Sequence, residues 1–153
     1  MPKKSRQNKY DIALKKFDMS SMTKDSTVVF VGKRRSGKSY TLRDMLWHLR
    51  DIPFGSIISG TEHASPFFGD FVPDTFIYSQ FDPSIPKKIL KTQSKLKQKA
   101  QKSGKDVKKD KFFFVLDDCL YDSSWAKEEV IRELFMNGRH YNILFVITMQ
   151  YPL

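Results

Sequence analysis

The sequence is short of cysteine, of acidic residues and of long apolar runs, and each shortage removes a class of protein. Cys119 is the one cysteine among 153 residues, so an internal disulfide framework is excluded and a reducing compartment is expected. No His sits near it in the sequence, which makes a buried, inert thiol the expected state rather than a nucleophile. No stretch reaches the roughly 18–20 apolar residues of a membrane-spanning helix. The opening Met1-Pro2-Lys3-Lys4-Ser5-Arg6-Gln7 has no apolar segment behind it and does not read as a secretory signal. No internal repeat is visible. A soluble, intracellular, single-domain protein is expected. The 40% of hydrophobic residues, with thirteen Phe, six Tyr and two Trp, supply one real core.

Acidic residues number 17 against 27 Lys and Arg, and the resulting net charge of +10 is concentrated in two places. Residues 1–17 hold six Lys/Arg against Asp11, net +5. Residues 87–111 hold eleven Lys against Asp106 and Asp110, net +9, so the remainder carries −4. A mildly acidic body with two basic appendages suggests a polyanionic partner. Lysine-rich segments are also commonly just solvated surface, and composition alone leaves both readings open.

What is present is organised around residues 28–39. The β-branched run Val28-Val29-Phe30-Val31 leads into Gly32-Lys33-Arg34-Arg35-Ser36-Gly37-Lys38-Ser39, and Tyr40-Thr41-Leu42-Arg43-Asp44-Met45-Leu46 reads as the helix that follows. Strand, G-x-x-x-x-G-K-S and helix together form the context a phosphate-binding loop requires. The glycines let the backbone fold so that successive N–H groups point at a phosphate, and the helix adds its positive end. The binding residues expected for ATP are Gly32, Lys33, Arg34, Arg35, Ser36, Gly37, Lys38, Ser39 and Tyr40. Lys38 would reach the β- and γ-phosphates, and the Ser39 hydroxyl would ligate Mg²⁺. The competing reading is a chance glycine-rich turn before a helix, against which the flanks speak.

Residues 1–24 read as a basic arm ending in a short amphipathic piece (Ile12, Leu14, Phe17, Met19), and 25–153 as the ATPase domain. A first strand is expected at about Thr27–Val31. The next helix shows Leu42, Met45, Leu46 and Leu49 on one face, with His48 beside it as a structural histidine. Asp51-Ile52-Pro53 ends that helix. Ser56–Ser59 reads as a short buried strand, 60–74 as a loop whose phenylalanines plug a core or a neighbour, and Phe76–Tyr78 as another strand. A helix starts near Ser84, with Ile89, Leu90 and Leu96 among lysines, and dissolves at Ser103-Gly104-Lys105 into an exposed loop, 103–111. The basic segment 84–111 is thus inserted before Phe112-Phe113-Phe114-Val115-Leu116, a run suited to a strand buried on both faces. Ser123 or Ser124 can cap a further helix with Glu128 and Glu129 in its first turn and Val130, Ile131, Leu134 and Phe135 as its buried face. Asn137-Gly138 stop it, and Ile143–Thr148 is the last strand, delivering Met149 and Gln150. Strands alternating with helices predict an α/β fold with a mainly parallel sheet flanked by helices. Ligands in such sheets bind beyond the C-terminal strand ends, where the loop, Asp117, Asp118 and Gln150 would converge.

Four apolar residues followed by an acid make the Walker B partner of the loop. Asp117 is expected to position the Mg²⁺ shell opposite Ser39, and Asp118 to polarise an attacking water. Adjacent carboxylates repel, and a nearby Mg²⁺ gives a reason to keep them together. The doublet points to a nucleotide hydrolase rather than a kinase.

Taken together, Gly32–Ser39, Phe114-Val115-Leu116-Asp117-Asp118-Cys119, Ser59-Gly60-Thr61-Glu62-His63 and Asn137-Gly138-Arg139-His140 resemble the genome-packaging ATPases of nucleocytoplasmic large DNA viruses. These poxvirus-type packaging ATPases fall within the FtsK–HerA group of P-loop motors, of the ASCE type. The resemblance covers roughly residues 20–153. It implies a ring-forming ATP hydrolase that drives double-stranded DNA into a preformed viral shell, meeting a capsid or portal-type assembly. The implied setting is the viral factory in the host cytoplasm and the virion. By resemblance, Lys38 and Ser39 match the Walker A ligands, Asp117 the Mg²⁺ acid, Asp118 the catalytic position that many such motors fill with Glu, and Gln150 the polar sensor. Arg139 is the candidate arginine finger for the neighbouring subunit's site, with simple pairing to an acid or phosphate as the alternative. Glu62 and His63 match a family motif without an assigned role.

The chain stops at Tyr151-Pro152-Leu153, just after the sensor strand, whereas members of the family continue with further helix and strand. The resemblance therefore implies a fragment or truncated product, and a missing edge strand would expose apolar surface. Two other readings stand beside the motor. One is a P-loop helicase or phosphotransferase, for which a second core domain or an arginine-rich lid would be wanted. The other is a nucleotide-gated DNA-binding or assembly protein without turnover.

Overall fold

A computed structural model describes residues 15–103, 111–119 and 123–151. Five strands, β1 (Thr27–Val31), β2 (Phe54–Ser59), β3 (Ile77–Tyr78), β4 (Phe112–Asp117) and β5 (Ile143–Met149), form one sheet in the order β1-β5-β4-β2-β3. Every pairing is parallel, as the alternation of strand and helix predicts. Among the described residues three α-helices connect them: α1 (Lys38–His48), α2 (Ser84–Ser103) and α3 (Glu129–Asn137).

The apolar runs of β4 and β5 alternate between the two faces of the sheet, which explains why they read as continuous rather than periodic. Ile57, Val115, Leu144 and Val146 face α1 and meet Leu42, Met45, Leu46 and Leu49. Ile58, Phe114, Leu116, Phe145 and Ile147 face the other way and meet Ile89 and Leu90 of α2 and Val130, Ile131 and Leu134 of α3. Phe68, from the loop after β2, plugs the α1 side, while Phe71 stays at the surface. Cys119 is buried, its Sγ 3.5 Å from the carbonyls of Ile58 and Asp117. Burial and then the two neighbouring aspartates push its thiol up to about 12, an inert state.

Several local expectations change. β2 begins at Phe54, two residues before the expected start, because Phe54 and Gly55 pair with Phe112 and Phe113. A Cβ at Gly55 would lie within 2.1 Å of the Phe113 ring, so only glycine leaves that ring its place. Ser123 and Ser124 open a 3-10 segment, Ser123–Lys127, and not the helix; α3 starts at Glu129 with Glu128 in extended geometry before it. Phe135 is 48% exposed rather than buried, touching Phe145 only edge-on. Of the 1–24 segment, residues 15–24 are described: Asp18 caps a 3-10 turn at Met19–Ser21, and Met19 and Met22 pack on the α1 side. Phe17 remains exposed. Residues 1–14, and 104–110 of the expected 103–111 loop, lie outside the described residues.

β1 forms one edge of the sheet, with Val29 and Val31 projecting from it 40% and 53% exposed. Among the described residues no helix is long and apolar enough to cross a membrane.

Candidate active site

Parallel strands set their C-terminal ends along one rim, and the candidate residues other than Arg139 gather there. The Gly32 N–H donates to the Met149 carbonyl at 3.0 Å, which ties the start of the loop to the end of β5. Gly37, at φ 88°, occupies the left-handed region that a side chain would strain, and Arg35 adopts φ 60°. The chain thereby turns tightly enough to present Lys38 and Ser39 as the first residues of α1, whose N-terminal end carries partial positive charge. Lys33, Arg34, Arg35 and Ser36 are exposed, whereas Gly32, Gly37, Lys38 and Ser39 are half-buried. The Lys38 ammonium folds over its own loop and donates to the carbonyls of Gly32 at 2.6 Å and Lys33 at 3.1 Å.

The strand register builds the acidic side. Ser59 lies opposite Asp117, and Asp117 opposite Thr148, so three polar side chains form one row across β2, β4 and β5. Thr148 Oγ1 donates to Asp117 Oδ1 at 2.7 Å, and Ser59 Oγ donates to Oδ2 at 3.2 Å. Burial raises the Asp117 carboxyl above the ordinary carboxylate range; the Thr148 and Ser59 hydroxyls pull it back, Asp118 pushes it further up and Lys38 lowers it. Asp118 follows at φ 49°, its N–H donating to Thr148 Oγ1 at 3.1 Å. That turn aims its carboxylate away from Asp117, where Gln150 Nε2 donates to both oxygens at 3.0 Å. Ser59 and Thr148 were not among the sequence candidates. Each is a hydroxyl at the C-terminal end of an apolar strand, and Ser59 also opens the Ser59–His63 stretch.

These residues suit a magnesium nucleotide. Mg²⁺ takes hard oxygen ligands and is held by one or two carboxylates together with substrate phosphates and waters. The Ser39 hydroxyl and the Asp117 carboxylate are donors of that kind. A cage of three or more His, Cys, Asp or Glu is absent among the described residues. The loop N–H groups, the helix end and Lys38 supply the complementary positive side for phosphate.

Glu62 acts on the neighbouring loop. Its Oε1 accepts the N–H groups of Phe67, Phe68 and Gly69 at 2.9–3.0 Å, which pins the turn after β2. Phe67 then meets the edge of the exposed Tyr40 ring, 5.5 Å between centroids, and the Arg43 guanidinium sits over both rings. His63 is exposed.

Arg139 is elsewhere. It is exposed in the 3-10 turn Gly138–Tyr141 that precedes β5, and it shares a small pocket with Thr23, Asp25, Ser26 and Thr27 at the start of β1. The loop leaves the other end of that strand, about 16 Å away for five extended residues. Arg139 therefore cannot serve the site of its own chain.

The fold is shared with the pCW3 conjugation coupling protein TcpA in its monomer form with ATPgS. That likeness has a TM-score of 0.56 and 15% identity, and covers 90% of this chain and 45% of that one. It is shared also with the genome packaging NTPase B204 of Sulfolobus turreted icosahedral virus 2 in complex with ATP-gammaS (0.51, 19%, 84% and 66%). Identities this low establish the P-loop NTPase fold alone. Sequence relatives are nearer. Uncharacterized protein L437 of Acanthamoeba polyphaga mimivirus is 40% identical over 150 residues, which are 95% of this chain and 52% of the relative. Uncharacterized protein 015R of Frog virus 3 is 42% identical over 125 residues, 81% of this chain and 37% of the relative. The chain thus spans about half, or less, of the length of these relatives. The match to the family described as Poxvirus A32 protein runs over residues 14–151, through the loop, both aspartates and Gln150, and the chain belongs to that family.

Proposed function

We propose that this chain is the ATP-hydrolysing part of a motor that moves viral double-stranded DNA into a capsid. The observation that carries the reading is the register row Ser59–Asp117–Thr148, on the same rim where the Gly32 N–H at the start of the Lys38 loop bonds the Met149 carbonyl. Membership of the Poxvirus A32 protein family and a fold shared with a protein named a genome packaging NTPase support it.

In this reading the loop N–H groups hold the ATP phosphates, and Lys38 leaves the Gly32 and Lys33 carbonyls for the β- and γ-phosphate oxygens. Ser39 and Asp117 would hold Mg²⁺, which would neutralise charge on the phosphates. Asp118 orients and polarises the attacking water, and Gln150, now on Asp118, is the group that registers the γ-phosphate. Catalysis is thus positioning plus electrostatic stabilisation, as phosphoryl transfer requires. The further parts are a homo-oligomeric ring, a capsid or portal-type assembly as partner, and work in the viral factory and the virion.

The test is ATP turnover with and without duplex DNA. Hydrolysis stimulated several-fold by duplex is the expected result. Turnover indifferent to DNA would favour a phosphotransferase, and nucleotide binding without turnover a gated assembly protein.

Arg139 is proposed as a finger acting in trans, which its distance from its own loop requires. Mixing Arg139→Ala with Lys38→Ala subunits should restore part of the activity that each lacks alone, because mixed rings contain an intact loop facing an intact arginine. An assembled Arg139→Ala protein with full turnover would remove the finger from the mechanism.

A further inference from the structure

α2 is twenty residues long and contains no Asp or Glu. Its buried side is Pro86, Ile89, Leu90 and Gln93. Lys97 belongs to that inner half, donating to the His140 carbonyl at 2.5 Å. Lys88, Lys91, Lys95, Lys99 and Lys102 are all exposed. They follow one another at steps of three, four, four and three residues, which at 3.6 residues per turn confines them to an arc of about 80°. That arc points away from the buried side. The five cations form a single ladder about 21 Å long, at 1.5 Å per residue.

We infer that this ladder is the surface that holds the phosphate backbone of duplex DNA. The inference rests on the packaging reading and adds to it which side chains make the contact. Over about 21 Å a duplex presents roughly six phosphates per strand, at 3.4 Å each, so ladder and backbone match in length and charge density.

Two blander accounts fit less well. A solvated helix face usually interleaves acids with lysines, because Lys–Lys pairs at i,i+4 repel. Here Lys91, Lys95 and Lys99 repel in series, and the ion pairs among the described residues are Lys24–Asp51 and Asp44–His48, neither of them on the ladder. A membrane-surface helix inserts its apolar face among lipids. Ile89 and Leu90 of α2 are already buried in the core, and Ile85 packs beside them. Phosphate contacts carry no sequence information, which suits a surface that must hold any stretch of a genome.

The experiment measures affinity of the full chain for a fluorescent duplex across a potassium chloride series. Four or five ladder contacts predict a log–log slope of about −3.6 to −4.5. Changing the five lysines to Gln should bring that slope close to zero, whereas changing them to Arg should keep it. Lys95→Gln alone should reduce it by about 0.9, and this single surface change keeps the test open if the fivefold variant fails to fold. Lys97→Gln should leave the slope as it is. Equal slopes for the wild type and the fivefold Gln variant would overturn the ladder, as would polyglutamate held as tightly as duplex. Affinity for a fluorescent ATP analogue, read on the same samples, reports the loop by itself. Normal ATP binding with an unaltered slope overturns the ladder alone, and loss of ATP binding in the wild type overturns the packaging reading whatever the slope.

Discussion

Lys38→Ala is expected to lower ATP hydrolysis by about 10²–10³-fold or more, the loss typical of removing one group aimed at developing transition-state charge. It should also weaken nucleotide binding, because the phosphates lose their one fixed ammonium. The same side chain holds the carbonyls of Gly32 and Lys33, so the variant's loop would be looser before any ligand arrives. Melting curves separate the two effects. A loop that only came loose would lower the melting temperature of the ligand-free protein, whereas loss of the phosphate contact removes the stabilisation that added nucleotide gives. Wild-type turnover in Lys38→Ala would end the assignment of this loop to ATP.

The second large effect divides the aspartates. Asp118→Asn should keep Mg·ATP binding and lose about 10²-fold or more in turnover if, as proposed, its carboxylate directs the attacking water. Asp117→Asn should impair both. Asp117 has a further signature in the ligand-free protein. Its folded-state pKa is raised by burial, so the folded chain binds that proton more tightly than the unfolded chain does. Stability from this group is therefore present below the ordinary carboxylate pKa and is lost as pH rises through the folded-state value. At neutral pH, Asp117→Asn should melt higher than the wild type without ligand, and the difference should vanish in acid. Added Mg²⁺ and nucleotide should stabilise the wild type and not the variant. Unchanged metal dependence in Asp117→Asn would mean that the two acids exchange roles.

Much of this molecule is legible without coordinates, and the division follows from the range of the forces involved. Thr27–Val31, the helix from Ser84 and the runs at 112–116 and 143–148 declare themselves through local pattern, because burial of a strand or of one helix face is written into neighbouring residues. The loop Gly32–Ser39 and the pair Asp117-Asp118 are contiguous chemistry, and they too can be read off directly. Where another element decides, the local pattern falls short. Phe54 and Gly55 are strand only because Phe112 and Phe113 lie beside them. Phe135 follows directly on the buried Leu134 yet stays half-exposed, meeting Phe145 of β5 edge-on. Ser123 and Ser124 have the chemistry of a cap, but the chain there forms a 3-10 segment first.

The sequence by itself thus determined the fold class, the loop, the acids and the charge of α2. Tertiary structure alone decided that Ser59 and Thr148 hold Asp117, that Gln150 holds Asp118, and that Arg139 stands at the opposite end of the sheet. The hydroxyls of Ser59 and Thr148 reach a carboxylate 58 and 31 residues away along the chain. Such contacts depend on strand register, which is set by the sum of many side-chain packings across the whole sheet and by no single stretch of residues.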